Sequence, residues 1–193
     1  MKREILFLLL IILLPSMLCA KIVIAGHSIV KTSSDGTTLT FLTVNSQSEA
    51  STGVEIQDSY SSTPSWCSKK VKKVVFDRSF STHTFSSTAY WLSGCSNLTT
   101  IEGLEYLNTN KLTTADYMFD GCSSLTTIDL SNLNPQNLKS CRNMFQNCSK
   151  LKTVYGTKWD IMSNMTNNEK VKFLIYQDHQ SVPYMFNGCT SSL

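Results

Sequence analysis

In the second half of the chain the apolar positions recur on a fixed beat. A five-residue motif is written four times: Trp91-Leu92-Ser93-Gly94-Cys95, Met118-Phe119-Asp120-Gly121-Cys122, Met144-Phe145-Gln146-Asn147-Cys148 and Met185-Phe186-Asn187-Gly188-Cys189. The first three copies continue alike, with Leu98 and Ile101, Leu125 and Ile128, then Leu151 and Val154. The four cysteines are 27, 26 and 41 residues apart. A period of this size marks stacked supersecondary units, none of which buries its apolar side alone. The run Leu125-x-x-Ile128-x-Leu130 reproduces the L-x-x-L-x-L core of leucine-rich repeats. It predicts a short strand with Ile128 and Leu130 inward and Asp129 outward. Leu133 and Leu138 follow as apolar pegs, matched in the preceding copy by Leu104, Leu107 and Leu112. That preceding copy carries one extra residue between Ile101 and Leu104. The stretches through Met118-Phe119 and Met144-Phe145, up to each cysteine, fit one or two helical turns. The fold class expected is therefore α/β: a short leucine-rich-repeat-like solenoid, a short strand plus a short helix per repeat, behind a β-rich N-terminal cap.

Residues 21–87 hold no repeat. An apolar run over 21–30 reads as a strand, Ser33-Ser34-Asp35-Gly36 as a turn, and 37–44 as a second, alternating strand. Asp-Gly between two such runs suggests a hairpin. Residues 46–65 are polar and rich in turn formers, and 69–76 return to strand character. The chain thus divides into a signal peptide at 1–20, a β-rich capping region at 21–87, and the repeat array at 88–193. An insertion at 159–183 interrupts the third copy and is expected to project as a loop or hairpin.

The N-terminus adds an address. Lys2 and Arg3 precede an unbroken apolar run at 5–14, which Pro15 and Ser16 end, and Met17-Leu18-Cys19-Ala20 offers a cleavage point. This is the layout of a secretory signal, too short to span a bilayer. Lipid attachment at Cys19 is the alternative, although Leu18 stands where lipoprotein processing usually finds a small residue. No later run reaches 18 apolar residues, so no transmembrane anchor is expected. Charged residues make up only 16% of the chain and the net charge is +3, which does not point to nucleic acid. Ser, Thr and Asn are abundant, which suits short strands and turns.

Seven cysteines in an exported chain invite a disulfide reading, and the six beyond Cys19 are even in number: Cys67, Cys95, Cys122, Cys141, Cys148 and Cys189. Four of the six hold equivalent repeat positions, where a file of small, buried, mostly unbridged thiols is the expectation. No spacing suits zinc, and no metal or cofactor is expected. His27, His83 and His179 lie far apart, and Cys67 with His83 is the least poor nucleophile–base pairing. There is no phosphate-cradling glycine loop and no H-E-x-x-H, so the chain is not expected to be an enzyme. Lys69, Lys70, Lys72 and Lys73 form one basic cluster, expected as the wet face or protected edge of a strand. Asn97, Asn147 and Asn164 each open an N-x-S/T triplet.

The segments Met118–Asn134, Met144–Asp160 and Lys72–Thr109 closely resemble the BspA-like leucine-rich-repeat surface proteins, exported bacterial proteins also found in some mucosal protists. The similarity covers about residues 36–189. The resemblance implies a repeat fold behind a β-rich cap, and a surface role in adhesion to host matrix or plasma proteins such as fibronectin and fibrinogen. Members commonly carry more repeats. Here the fourth copy places Leu193 at +4 from its cysteine instead of +3, and the sequence stops there. A truncated product, or an end covered by a partner, is expected on that account.

The candidate binding face follows from the alternation. Glu102, Asp129 and Tyr155 stand directly after the inward Ile101, Ile128 and Val154, so they point outward in one row. The function expected is an exported, non-catalytic binding or adhesion protein that recognises a protein or matrix macromolecule. The alternative is a structural envelope component, or a truncated repeat protein without a specific ligand.

Overall fold

The computed structural model describes residues 26–156. The expectations for the signal peptide, Cys19, the insertion at 159–183, the fourth copy, Asn164 and His179 lie outside the described residues. Strand β1 (His27–Thr32) pairs antiparallel with β2 (Thr38–Val44), from His27↔Val44 to Thr32↔Leu39. The hairpin turn between them is held by Asp35, which accepts from the Ser33 hydroxyl at 2.6 Å and the Thr37 amide at 3.0 Å. Those bonds favour the charged form and hold the Asp35 carboxyl at about 2. Gly36 takes the left-handed conformation the turn needs, at φ +73°.

Strand β3 (Val54–Glu55) adds antiparallel to β1. On the other side β2 pairs parallel with β4 (Lys73–Phe76), and β4 pairs parallel with β5 (Thr100–Glu102). The result is a five-stranded mixed sheet in the order β3-β1-β2-β4-β5. A second, two-stranded parallel sheet joins β6 (Thr127–Asp129) to β7 (Thr153–Tyr155).

The expected α/β architecture, with a short helix in every repeat, is overturned. The protein is a mixed sheet with few helices, not a leucine-rich-repeat-like solenoid of strand-plus-helix units. Among the described residues helix is confined to α1 (Gln47–Ala50) and two 3-10 segments, Arg78–Thr82 and Leu104–Tyr106. None of these lies in a Met-Phe-x-x-Cys motif.

The physical reason is in the amides. Along copy one the amides of Trp91, Ser93 and Cys95 close local turns onto Thr88, Tyr90 and Leu92. The alternate amides of Thr88, Tyr90, Leu92 and Gly94 instead bond forward to the carbonyls of Thr114, Asp116, Met118 and Asp120 in copy two. Copy two repeats the scheme: Ala115, Tyr117, Phe119 and Gly121 donate to Ser140, Arg142, Met144 and Gln146. A helix would send every amide back to i−4. Here left-handed residues divert every second amide outward: Tyr90 and Gly94, Tyr117 and Gly121, Asn143 and Asn147, all with φ between 57° and 78°.

One apolar cluster runs from Val30 to Leu151, under the sheet and through all three described copies. Leu98, Leu125 and Leu151 are fully buried at equivalent places. Phe119 and Phe145 stack across adjacent copies, with ring centroids 5.2 Å apart and 4° between planes. Where the copies meet the cap, Phe41, Phe76, Phe80, Phe85 and Trp91 form an aromatic knot, with Phe41 stacked on Trp91 at 5.6 Å. The abundant Ser, Thr and Asn serve as stitches from the first copy to the cap and between copies. The Asn97, Asn108 and Asn137 amides donate to the Lys69, Ser81 and Asn110 carbonyls, and the Thr113 hydroxyl to Ser86.

Phe145→Ala removes a fully buried ring from this file. Its expected cost is about 3–5 kcal/mol of unfolding free energy, read by chemical denaturation. An unchanged transition midpoint contradicts the packing described.

Candidate functional site

The outward row of Glu102, Asp129 and Tyr155 is exposed, but its members are not equivalent. Asp129 and Tyr155 are direct register partners on β6 and β7. Glu102 stands apart on β5, opposite Val75, and its carboxylate pairs with Lys73 Nζ at 2.8 Å. Asp129 is partly occupied as well. The Ser131 hydroxyl and amide bond to it, the amide at 2.8 Å, and they hold its carboxyl below the usual range. Tyr155, by contrast, is 56% exposed, one of two large apolar side chains among the described residues left in solvent.

A shallow cleft of about 160 Å³ separates the two sheets, lined by Ile101, Gly103, Leu104 and Glu105 on one side and Thr127, Ile128, Asp129 and Asn132 on the other. Its cause is the extra residue in copy one. Gly103 adopts φ +68° and brings its Cα so close to β4 that an added Cβ would overlap the Phe76 carbonyl oxygen. The chain then turns at once into the 3-10 segment Leu104–Tyr106. No strand ladder joins β5 to β6 among the described residues. Asp129 therefore borders both the cleft and Tyr155.

The other sequence candidates resolve into structural roles. His27 Nδ1 lies 3.0 Å from Glu55 on the surface, and the His83 ring packs on Phe85 at 4.6 Å. Cys67 is not brought to His83; its thiol donates to the Trp91 carbonyl at 3.1 Å. The described cysteines, Cys67, Cys95, Cys122, Cys141 and Cys148, are unbridged. Burial pushes the Cys122 thiol up, and the Cys141 thiol to about 12. Of the lysine cluster, Lys69, Lys70 and Lys72 are exposed and Lys73 meets Glu102. Lys73 alone of the four lies on a strand, β4, which is interior between β2 and β5; of the two expectations the protected edge is not met, and the three exposed lysines precede the strand. Asn97 and Asn147 are exposed, and their side-chain amides donate to the Lys69 carbonyl and the Asp120 carboxylate.

Sequence reasoning missed Tyr90 and Tyr117. Both are left-handed, at φ 64° and 57°, a conformation that disfavours bulky residues. They stack in parallel at 4.7 Å beside Asp116, Asp120 and Arg142. The signal was present: a tyrosine also precedes the motif at Tyr184, and Asn143 takes the place in the third copy.

Residues 65–191 match the family model described as Mycoplasma protein of unknown function, DUF285. No curated protein and no solved structure matches the chain.

Two glycine variants test the origin of the cleft. Gly121→Ala meets only ordinary contact, its nearest neighbour Gly94 at 3.6 Å, so it should lose only the left-handed preference, about 1–2 kcal/mol. Gly103→Ala adds the overlap with Phe76 and should lose about 2–5 kcal/mol. Equal losses in denaturant unfolding contradict the close approach of Gly103 to β4.

Proposed function

We propose that this chain, which belongs to the DUF285 family, is a non-catalytic, exported binding module that engages a protein or matrix macromolecule through the outward face of β5, β6 and β7. The observation that carries the reading is Tyr155, a solvent-exposed aromatic set on a short strand, next to Asp129 and the edge of the cleft. Exposed tyrosines on rigid elements are the residues from which interface energy is most readily drawn, because they bury a large area for few frozen torsions. The stack beneath supplies the rigidity: Ile128 is buried in the apolar cluster, Val154 packs against it, and β6 and β7 are bonded in parallel register. Export rests on the charged start and apolar run of the first twenty residues. Fibronectin and fibrinogen enter as trial ligands through the BspA-like resemblance alone. A structural envelope component without a ligand is the second reading.

The test is binding of the full chain to immobilised matrix glycoproteins, fibronectin and fibrinogen among them. Tyr155→Ala should weaken capture about tenfold or more while moving stability by less than about 0.5 kcal/mol. Glu102→Ala, which removes only an exposed ion pair, should change either quantity little. Unchanged affinity in the triple alanine variant of Glu102, Asp129 and Tyr155 moves the site off this face. Failure of the wild type to bind any matrix component favours the structural reading.

A further inference from the structure

We propose that the cleft between β5 and β6 is a recognition site for a neutral sugar residue, so that the partner of this face is a glycan; the inference rests on the binding role of the β5–β7 face. The cleft is a missing rung of backbone bonding. The Thr99 and Thr100 amides both bond the Lys72 carbonyl, and the Lys152 and Thr153 amides both bond the Thr126 carbonyl. The equivalent Thr126 and Thr127 amides make no such bond to Thr99. In a parallel ladder the amide and carbonyl of one residue share a side, and successive residues alternate. Thr100 faces β4 through Lys72, so the Ile101 amide and carbonyl point the other way, toward β6. Thr126 and Leu130 face β7, so the backbone groups of Thr127 and Asp129 point toward β5. No ladder joins the two strands among the described residues. The walls of the cleft therefore carry backbone donors and acceptors that do not meet across it, and a ligand's hydroxyls can take the place of water on them.

The rim selects the class of ligand. Glu105, Thr127, Asp129 and Asn132 line the cleft, and all four are exposed. Carboxylate, amide and hydroxyl groups are the partners that the neighbouring hydroxyls of a pyranose ring require. The Ser131 amide bonds Asp129 Oδ1 at 2.8 Å and fixes that carboxylate, so little order is lost on binding. Tyr155, the register partner of Asp129, stands one strand spacing away, about 4.8 Å, and offers an exposed ring to the apolar C–H face of a sugar. Two carboxylates and no basic side chain line the cleft, which disfavours sulfated and phosphorylated ligands. A peptide strand is poorly served. Strands β5 and β6 are three residues long each, and the cleft, about 160 Å³, suits one ring and not a run of side chains.

The experiment uses the isotope-labelled full chain and, as probe, N-glycans released from fibronectin and desialylated. The amide resonances of Gly103, Thr127 and Asp129 should shift saturably, and heparin, a sulfated glycan, should leave them in place. Asn132→Ala and Glu105→Gln should each weaken the interaction about tenfold, the loss of one hydrogen bond to the ligand, with the melting temperature unchanged. In parallel the chain is captured on intact and on enzymatically deglycosylated fibronectin. Capture that disappears with the glycans supports the proposal. Equal capture of both forms, with no shifts from the free glycans, overturns it and leaves a protein ligand as the reading of this face. Shifts confined to residues away from the cleft, or both variants binding as the wild type does, overturn it as well. Absence of both capture and shifts overturns it together with the binding role.

Discussion

Half of the amides from Thr88 to Cys95 in copy one, and from Ala115 to Cys122 in copy two, have no acceptor until the next copy is in place. A buried backbone donor left unpaired costs on the order of a lost hydrogen bond, so the copies cannot fold singly. Four forward bonds join copy one to copy two and four join copy two to copy three. Other amides close turns within their own copy or bond back to the preceding one, as Lys139 does to Thr113 and Lys152 to Thr126, and left-handed residues just before each motif and at its fourth position make this division of labour sterically possible. The side chains obey the same demand. Cysteine suits its position because it is small enough to be enclosed and still donates its S–H to the copy behind. The phenylalanines stack because the backbone bonds have already brought their Cα atoms to sheet spacing.

Everything presented to solvent inherits that register. Outward residues of successive strands fall in rows because the inward ones are pinned, and Asp129 lies against Tyr155 for no other reason. The one interruption, at Gly103, separates Glu102 from the other two and opens the cleft. A surface built this way has its geometry set by the core beneath it, while the identity of its outward residues is free to vary at little cost in stability.

The part of this that was legible in the sequence is the part governed by apolar spacing. Leu98, Leu125, Leu151, Phe119 and Phe145 were readable as core from the beat alone, and the hairpin from Asp35-Gly36. The helix per repeat was misread. Met-Phe-x-x-Cys fits a helical turn by spacing, and nothing in an apolar pattern reveals that Tyr117 and Gly121 will be left-handed. Gly121 carried a hint; Tyr117, a poor residue for that conformation, pointed the other way. The extra residue in copy one was countable, but its effect depends on the approach of Gly103 to the Phe76 carbonyl, a long-range contact. The outward row lies on β5, β6 and β7, yet its inequality was hidden, because Lys73, the partner of Glu102, becomes its neighbour only through the fold, and the turn that brings Ser131 back onto Asp129 is not marked by the apolar pattern.

The central claim, that the copies are held by alternate amides bonded forward, is tested most directly by native-state hydrogen exchange at residue level. The amides of Leu92, Gly94, Tyr117, Phe119 and Gly121 should exchange slowly and with closely similar opening free energies, since opening one copy strips its neighbour of acceptors. The exposed turn amides of the hairpin at Ser34 and Asp35 should exchange far faster. If the forward-bonded amides exchange as fast as those turn amides, or open independently copy by copy, the account is wrong.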